Sequence, residues 1–222
     1  MADWLSTLIA SAHTALDGPS GDEARAYLAG RGVTEAEWRL HHLGCTPFDL
    51  PVAECTQAFA DWMPKYFYGR LLFPFFDARG AAIGLQTRSL DKKFYQQFYA
   101  YPTELSPFLF GLPQALPTIW ETGVVAVVEG VFDYFAVSKV YPGTVAILTA
   151  NPSAAVKRFL RRYAMRVVAL LDMDEAGRQG VDRLVRDPDR TYMVTAPSYP
   201  GHDPGDLLAA GRLVVLERLL RI

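Results

Sequence analysis

The chain has 222 residues, 50% of them hydrophobic, which is enough to bury a sizeable core in one large domain or two small ones. Its 22 Lys and Arg residues nearly balance 24 Asp and Glu residues, so the net charge of -2 excludes binding to nucleic acid through overall basicity and leaves that role to a local patch. No apolar run reaches roughly 18 residues and no basic segment precedes the first one, which excludes a membrane span and a signal peptide and favours the cytosol.

Cysteine and histidine are sparse. Cys45 and Cys55 are the only cysteines, and four histidines are scattered along the chain. None of these residues has the spacing of a zinc ribbon. We therefore predict free structural thiols and no structural zinc.

Three helical patterns open the chain. Apolar residues recur at helical spacing over residues 4–16, a Gly-Pro-Ser-Gly break follows at 18–21, and a second helix is predicted from Asp22. A third helix is predicted after Thr34, which has Glu37 three residues later and so forms the pattern of a capping box.

From residue 66 the pattern changes to strands. Residues 66–77 and 81–90 have the pattern of two strands, and a turn at 78–80 separates them, which predicts an antiparallel hairpin. Basic residues outnumber acidic ones between residues 61 and 100, and aromatic residues interleave them. This favours a nucleic-acid groove with phosphate contacts and base stacking, whereas the alternative is a solvated hairpin edge with its aromatic residues in the core. We assign Phe73, Phe75 and Phe94 to the core.

After residue 120, strands and helices alternate, which predicts a parallel sheet covered by helices. The predicted strands are 124–130, 145–151, 167–174 and 191–197, and one last helix is predicted over 202–220.

Three acids fall where two of these strands end. Glu129 closes the first strand, and Asp172 and Asp174 close the third. The carboxyl ends of parallel strands meet at one edge, and residues two apart in an extended segment face the same side, so the three carboxylates converge. At about 4 Å each like-charge pair costs roughly 4 kcal/mol at an effective dielectric constant of about 20, so the group takes up protons or binds a cation. Oxygen ligands favour Mg²⁺ or Mn²⁺ over zinc.

Each acid also has a purely structural interpretation, which is the commoner one for any of them alone. Asp174 and Asp203 stand at helix N-cap positions, and Glu129 could face water at the end of its strand. Asp133 could extend the site or stabilise the start of a helix. Asp206 is the weakest candidate.

The ordered set of acids resembles the TOPRIM domain shared by DnaG-type bacterial primases, topoisomerases and some nucleases. The matching elements are Glu129-Gly130 with Asp133, Asp172-x-Asp174 with Ala176-Gly177, and Asp203-Pro204 with Asp206.

Upstream segments resemble the catalytic core of the DnaG-type primases, so that the resemblance covers residues 22–211. They are Tyr27-Leu28 with Arg31-Gly32 and Gly44, then Arg70, Phe73-Pro74, Asp77, Gly80, Gly84 and Arg88, then 92–97 and 107–116. This implies an α/β fold in two parts: an α+β N-terminal subdomain over residues 1–119, which binds template and NTPs, and a Rossmann-like TOPRIM subdomain over 120–222.

The resemblance implies a DNA primase, a nucleotidyltransferase that makes short RNA primers on single-stranded DNA from NTPs. It implies Mg²⁺ or Mn²⁺ held by the catalytic acids Glu129, Asp172 and Asp174, with Asp133 and Asp203 assisting. It assigns nucleic acid and NTP binding to Arg31, Arg70, Arg88, Lys93 and Gln96.

Some residues depart from the family pattern. Gln86 and Thr87 replace glycines, Gln96 stands where asparagine is usual, and a basic residue before Phe110 is missing, which predicts a less basic cleft. The family's zinc-binding and helicase-interacting domains have no counterpart in this sequence, so we expect a separate helicase or zinc-binding protein as partner. A bacterial, plasmid or phage source stays open.

Two other functions remain as alternatives. A TOPRIM nuclease or topoisomerase would use the same acids on DNA, although a topoisomerase also needs a nucleophilic tyrosine on a further domain. A replication subunit that binds single-stranded DNA without catalysis would keep only the fold.

Overall fold

The structure is a computed structural model that describes residues 3–52 and 54–220. It divides into two compact units, Met1–Phe76 with Gly80–Tyr101 and Asp77–Arg79 with Pro102–Ile222, which are described separately. No helix in the described part of the chain has the length and apolar character needed to cross a membrane. Both cysteines are free thiols, as predicted.

The first unit contains helices α1 (Asp3–Asp17), α2 (Asp22–Gly30), α3 (Glu35–Leu40) and α4 (Gln57–Tyr66), with a 3₁₀ turn at Pro19–Gly21. The capping box at α3 is confirmed: the Thr34 hydroxyl accepts a hydrogen bond from the Glu37 N–H, and the Glu37 carboxylate accepts one from the Thr34 N–H. Helix α4 has no counterpart among the predicted elements.

An antiparallel sheet in the order β1-β2-β3-β4 completes the first unit. Its strands are β1 (Gly44–Cys45), β2 (Arg70–Phe76), β3 (Ala82–Ser89) and β4 (Tyr95–Tyr99). The predicted hairpin is β2 and β3, and the sequence did not reveal the two edge strands. Phe73 and Phe75 are buried as predicted, whereas Phe94 is half-buried.

One face of this sheet packs against the helices. Residues opposite each other in an antiparallel pair point to the same face, so Leu72, Leu85 and Phe98 share one face. These three side chains form a core with residues of α1 and α4 that include Leu8 and Phe59.

The second unit is a parallel sheet in the order β6-β5-β7-β8, with helices between its strands. Its strands are β5 (Val124–Val128), β6 (Thr144–Ala146), β7 (Arg166–Leu170) and β8 (Met193–Thr195). Its helices are α5 (Leu112–Thr122), α6 (Val131–Ser138), α7 (Ala154–Tyr163), α8 (Glu175–Val185), α9 (Pro204–Ala209) and α10 (Leu213–Leu219). The predicted α/β class with an α+β N-terminal part is confirmed.

Several predicted boundaries differ from the structure. Strand β6 ends at Ala146 rather than 151, and Leu148, with a φ of 64°, lies outside the extended region. Strand β7 ends at Leu170, so Asp172 and Asp174 lie in the following loop. The predicted last helix is two helices, because Gly211 has a φ of 66° and interrupts it.

The predicted boundary between residues 119 and 120 falls inside α5. This helix belongs to the second unit, since Leu112, Leu116 and Ile119 pack in one core with Val125 and Val127 of β5. The division between the units lies at Tyr101, close to the point where the hairpin sheet ends.

Candidate functional site

Three predicted acids converge on one imidazole beyond the carboxyl ends of the parallel strands. The Oδ2 atom of Asp172 lies 3.7 Å from Nδ1 of His202, and that of Asp203 lies 4.0 Å from the same nitrogen. The Oδ2 atom of Asp174 lies 3.8 Å from Nε2 of His202. Asp172, Asp174 and Asp203 therefore form one site, although Asp172 and Asp174 come from a loop rather than from a strand end.

The structural role predicted for two of these acids is also present. The Oδ1 atom of Asp174 accepts a hydrogen bond from the N–H of Gly177 and caps α8. The Oδ1 atom of Asp203 accepts one from the N–H of Asp206 and caps α9. Each carboxylate thus uses Oδ1 as a cap and turns Oδ2 towards His202. The two interpretations are therefore compatible, and capping fixes the direction of the other oxygen.

Backbone hydrogen bonds join the two loops that carry the site. The N–H of Met173, between Asp172 and Asp174, donates to the carbonyl of His202 at 2.8 Å. The N–H of His202 in turn donates to Oδ2 of Asp206 at 3.3 Å. The first bond joins the two loops, and together the two bonds fix the backbone of His202 beside the Asp172 loop.

The donor set fits a divalent ion. One ligand atom from each of Asp172, His202 and Asp203 lies within 4.8 Å of the others. Among the described residues, this is the group of three His, Cys, Asp or Glu side chains whose ligand atoms lie this close together. Two ligands of one Mg²⁺-sized ion lie about 3 to 4 Å apart, because each stands about 2.1 Å from the ion. Small side-chain movements would bring these atoms to coordination distance.

Asp133 lies beneath this group and is 7% exposed. Its Oδ2 accepts a hydrogen bond from the N–H of Gly130 and its Oδ1 accepts one from the N–H of Gly205, both at 2.9 Å. Burial raises the pKa of Asp133 to about 7, and the nearby charges of Asp203 and Asp172 raise it further, while the two backbone hydrogen bonds oppose the shift. Both oxygens of Asp133 are engaged in holding α9 against the start of α6.

Glu129 belongs to the same electrostatic environment but not to the three-residue group. It follows β5 and is half-buried. Burial raises the pKa of the Tyr199 phenol, and the negative charges of Asp133, Asp172, Asp203 and Glu129 add to the shift. The Tyr199 hydroxyl donates to the carbonyl of Leu171 at 2.6 Å. This buried tyrosine therefore lies within the field of four of the predicted acids.

His202 and Tyr199 are the two site residues that were not predicted. His202 directly precedes Asp203, and this adjacency was the one signal in the sequence that it belongs to the site. Tyr199 had no such signal, because its role depends on a hydrogen bond to Leu171, which lies in the loop after β7.

In the first unit, Arg88 is held between two aromatic rings. Its guanidinium carbon lies 5.0 Å from the centre of the Tyr27 ring and 4.8 Å from that of Tyr95, and it donates a hydrogen bond to the Tyr95 hydroxyl. Arg88 is 7% exposed. Arg31 is half-buried, and its charge acts on Tyr95 together with that of Arg88.

Arg70 and Gln96 lie on the opposite face of the sheet from Arg88. Arg70 is opposite Ser89, and Arg88 is opposite Leu71, so the two arginines point to opposite faces of the sheet. Gln96 is opposite Thr87 and shares the face of Arg70.

Around Arg70 lie other members of the predicted basic segment. Its guanidinium carbon lies 5.0 Å from the centre of the Phe94 ring, which also contacts the Lys92 ammonium. Lys93 is exposed. The prediction of a single groove that includes both Arg70 and Arg88 is therefore wrong. Arg88 pairs with Leu71, the neighbour of Arg70, so the two arginine side chains lie on opposite sides of the sheet.

Comparisons with known proteins agree with this architecture. Residues 126–208 match a family model described as Toprim-like. The chain is 31% identical over 156 residues to a DNA primase of Deinococcus radiodurans, covering 65% of this chain and 27% of that protein. It is 27% identical to a DNA primase of Streptomyces coelicolor, covering 94% of this chain and 36% of that protein. The chain thus spans about a third or less of the length of these relatives.

Solved primase structures share the fold. A DNA primase domain from Pseudomonas aeruginosa superposes with a TM-score of 0.76 at 26% identity, covering 94% of this chain and 74% of that one. The zinc-binding and RNA polymerase domains of the Aquifex aeolicus primase give a TM-score of 0.77 at 22% identity, covering 97% of this chain and 59% of that one. The chain therefore contains a Toprim-like domain over residues 126–208 and shares the fold of solved primase catalytic cores.

Proposed function

We propose that this chain is a DNA primase, a metal-dependent nucleotidyltransferase that synthesises short RNA primers from NTPs on a single-stranded DNA template. The observation that carries the proposal is the convergence of Asp172, Asp174 and Asp203 within a Toprim-like domain. The 31% identity to a DNA primase over most of the chain supports the same activity.

The chemistry of primer synthesis accounts for the acids. When bound, divalent ions would activate the attacking 3′-hydroxyl and neutralise charge on the leaving pyrophosphate. Asp172 and Asp203 would hold these ions, and Asp174 and Glu129 would complete the negative field. We assign Asp133 the part of a positioning residue, since its two oxygens accept backbone hydrogen bonds from Gly130 and Gly205.

The first unit would bind template and NTP phosphates. We assign this function to Arg31, Arg70, Arg88, Lys93 and Gln96. Arg70 and Arg88 would act at separate places, because they lie on opposite sheet faces. A DnaG primase catalytic domain that shares this fold, with a TM-score of 0.75, has been solved bound to single-stranded DNA, which supports a template of this kind. A separate helicase would be a further partner, and the cytosol the place of action.

One incubation tests the proposal against its alternatives. The protein is combined with a single-stranded DNA template, labelled NTPs and either Mg²⁺ or Mn²⁺. Labelled oligoribonucleotides that depend on both template and ion are the expected products. Shortened DNA without oligoribonucleotides would identify a nuclease, and retention of DNA without any product would identify a binding subunit; either result would overturn the proposal.

A further inference from the structure

His202 is the one nitrogen donor among the oxygen donors of the candidate metal centre. Its two ring nitrogens lie 3.7 to 4.0 Å from Oδ2 atoms of Asp172, Asp174 and Asp203. Its side chain is 54% exposed, so water and ions reach the imidazole.

The placement of this ring is built into the fold. The His202 carbonyl accepts from the N–H of Met173, and the His202 N–H donates to the carboxylate of Asp206. These contacts hold the His202 backbone beside the Asp172 loop without using the ring, and both ring nitrogens face the carboxylates.

A nitrogen donor changes which ions a site prefers. Carboxylate oxygens suit Mg²⁺ and Mn²⁺ alike, whereas imidazole is a poor ligand for Mg²⁺ and a good one for transition metals. The distances from His202 to Asp172 and Asp203 are those expected of donor atoms that share one ion, after small side-chain movements.

We propose that His202 is a metal ligand that makes this centre select a transition-metal ion such as Mn²⁺ over Mg²⁺. The inference rests on the proposed function for the identity of the site, and it adds a determinant of metal choice. Removal of the imidazole then leaves an all-oxygen site, which discriminates less between the two ions.

A competing role for His202 makes the opposite prediction. A protonated imidazole would be a counter-ion for the three carboxylates, and an incoming cation would have to displace it. Replacing His202 with glutamine would then strengthen the binding of Mn²⁺ and Mg²⁺ by similar factors, since the same positive charge would be removed in both cases.

The test measures ion binding without turnover. Mn²⁺ and Mg²⁺ affinities are determined by calorimetry for the wild type, His202→Gln and Asp172→Asn, and the Mn²⁺ complexes are studied by electron spin echo spectroscopy. We expect nitrogen modulation in the wild type that disappears in His202→Gln, with a loss of Mn²⁺ affinity of about 10-fold or more and a clearly smaller loss for Mg²⁺.

Three other results are distinguishable. Mn²⁺ binding without nitrogen modulation, and with the same ratio of affinities in His202→Gln, would overturn the role of His202 while leaving the site intact. Tighter binding of both ions in His202→Gln would establish the counter-ion role instead. If neither Mn²⁺ nor Mg²⁺ binds the wild type, and Asp172→Asn gives the same result, the metal centre is overturned and the proposed function with it.

Discussion

The Oδ1 atom of Asp133 accepts a 2.9 Å hydrogen bond from the backbone N–H of Gly205, seventy-two residues further along the chain. The other carboxylate oxygen accepts from the N–H of Gly130. This one buried side chain therefore ties the start of α9, which follows Asp203, to the loop after β5. The candidate metal centre depends on that connection, because Asp203 has to remain near Asp172.

Replacing Asp133 with asparagine should weaken this connection. An amide offers one acceptor oxygen for two backbone N–H groups, so one of them would face an NH₂ group. We expect Asp133→Asn to lower the free energy of unfolding by about 1 to 3 kcal/mol, measured by urea denaturation. Asp182→Asn, an equivalent change at a 61% exposed carboxylate, is the control and should stay within about 0.5 kcal/mol. Equal stability of the two variants would contradict this role.

Gly177 leaves no room for a side chain beneath the Asp172 loop. A Cβ atom at this position would lie 2.0 Å from the backbone carbonyl oxygen of Asp172. Gly177→Ala should therefore push the loop outwards, cost about 1 to 3 kcal/mol of stability and weaken Mn²⁺ binding.

Gly30 offers a matched control for that change. It is also helical, and a Cβ atom there would meet nothing within 4 Å, so Gly30→Ala should be neutral or stabilising by up to about 1 kcal/mol. The measurements are thermal denaturation and Mn²⁺ titration. Normal Mn²⁺ affinity in Gly177→Ala would show that the loop does not need this close approach.

The acids illustrate how far the sequence could predict the site. The run of β-branched residues before Glu129 predicted a buried strand, and the edge of the sheet followed from the alternation of strands and helices. The sequence left capping and metal binding as alternatives for Asp174 and Asp203. In the structure both roles are present on different oxygen atoms of each carboxylate: Oδ1 caps a helix and Oδ2 faces the site.

Other features depend on long-range geometry that no local pattern encodes. His202 joins the site through its backbone contact with Met173, which lies on another loop. The opposite orientation of Arg70 and Arg88 follows from the register of the hairpin, which pairs Arg70 with Ser89 and Leu71 with Arg88. The basic composition of the segment and the resemblance to the primase core grouped those two arginines, and neither contains information on the register.

Lys93 gives the cleanest test of the nucleic-acid assignment, because it is exposed. Lys93→Ala should lower the affinity for single-stranded DNA and reduce the slope of log affinity against log salt by about 0.7, the value for one phosphate contact. Fluorescence anisotropy at several salt concentrations measures both. Lys139 is an exposed lysine of the second unit, and Lys139→Ala should change neither the affinity nor the salt slope. Equal effects of the two substitutions would mean that Lys93 contributes only to the overall charge and contacts no particular phosphate.

Arg88 requires a different expectation from Lys93. Its guanidinium is buried between Tyr27 and Tyr95, and each such contact contributes about 0.5 to 1 kcal/mol or more. Arg88→Ala should therefore lower thermal stability as well as DNA affinity. Unchanged stability in this variant would mean that the aromatic contacts contribute nothing.

His41 should make the first unit sensitive to acid. Burial lowers the pKa of His41 from 6.5 to about 4, so the unfolded chain binds a proton that the folded chain does not. The stabilisation from the neutral imidazole is fully present above pH 6.5 and is lost as the pH falls towards 4, by a total of the order of 3 kcal/mol.

The pH profile of the wild type also contains the opposite contribution of Asp133, whose pKa is raised to about 7 and which favours the folded state at lower pH. The difference in the free energy of unfolding between the wild type and His41→Gln isolates the contribution of His41. Urea denaturation from pH 4 to 7.5 should show this difference narrowing as the pH falls. A difference that does not vary with pH would contradict the burial of a neutral imidazole.

The most direct test of the metal centre is a crystal of the protein soaked in Mn²⁺, with data collected near the manganese absorption edge. We expect an anomalous peak about 2.2 Å from carboxylate oxygens of both Asp172 and Asp203. The peak should be absent from crystals of Asp172→Asn treated in the same way. A wild-type crystal with no peak between these two residues, or with manganese bound only elsewhere, would contradict a metal centre at Asp172 and Asp203.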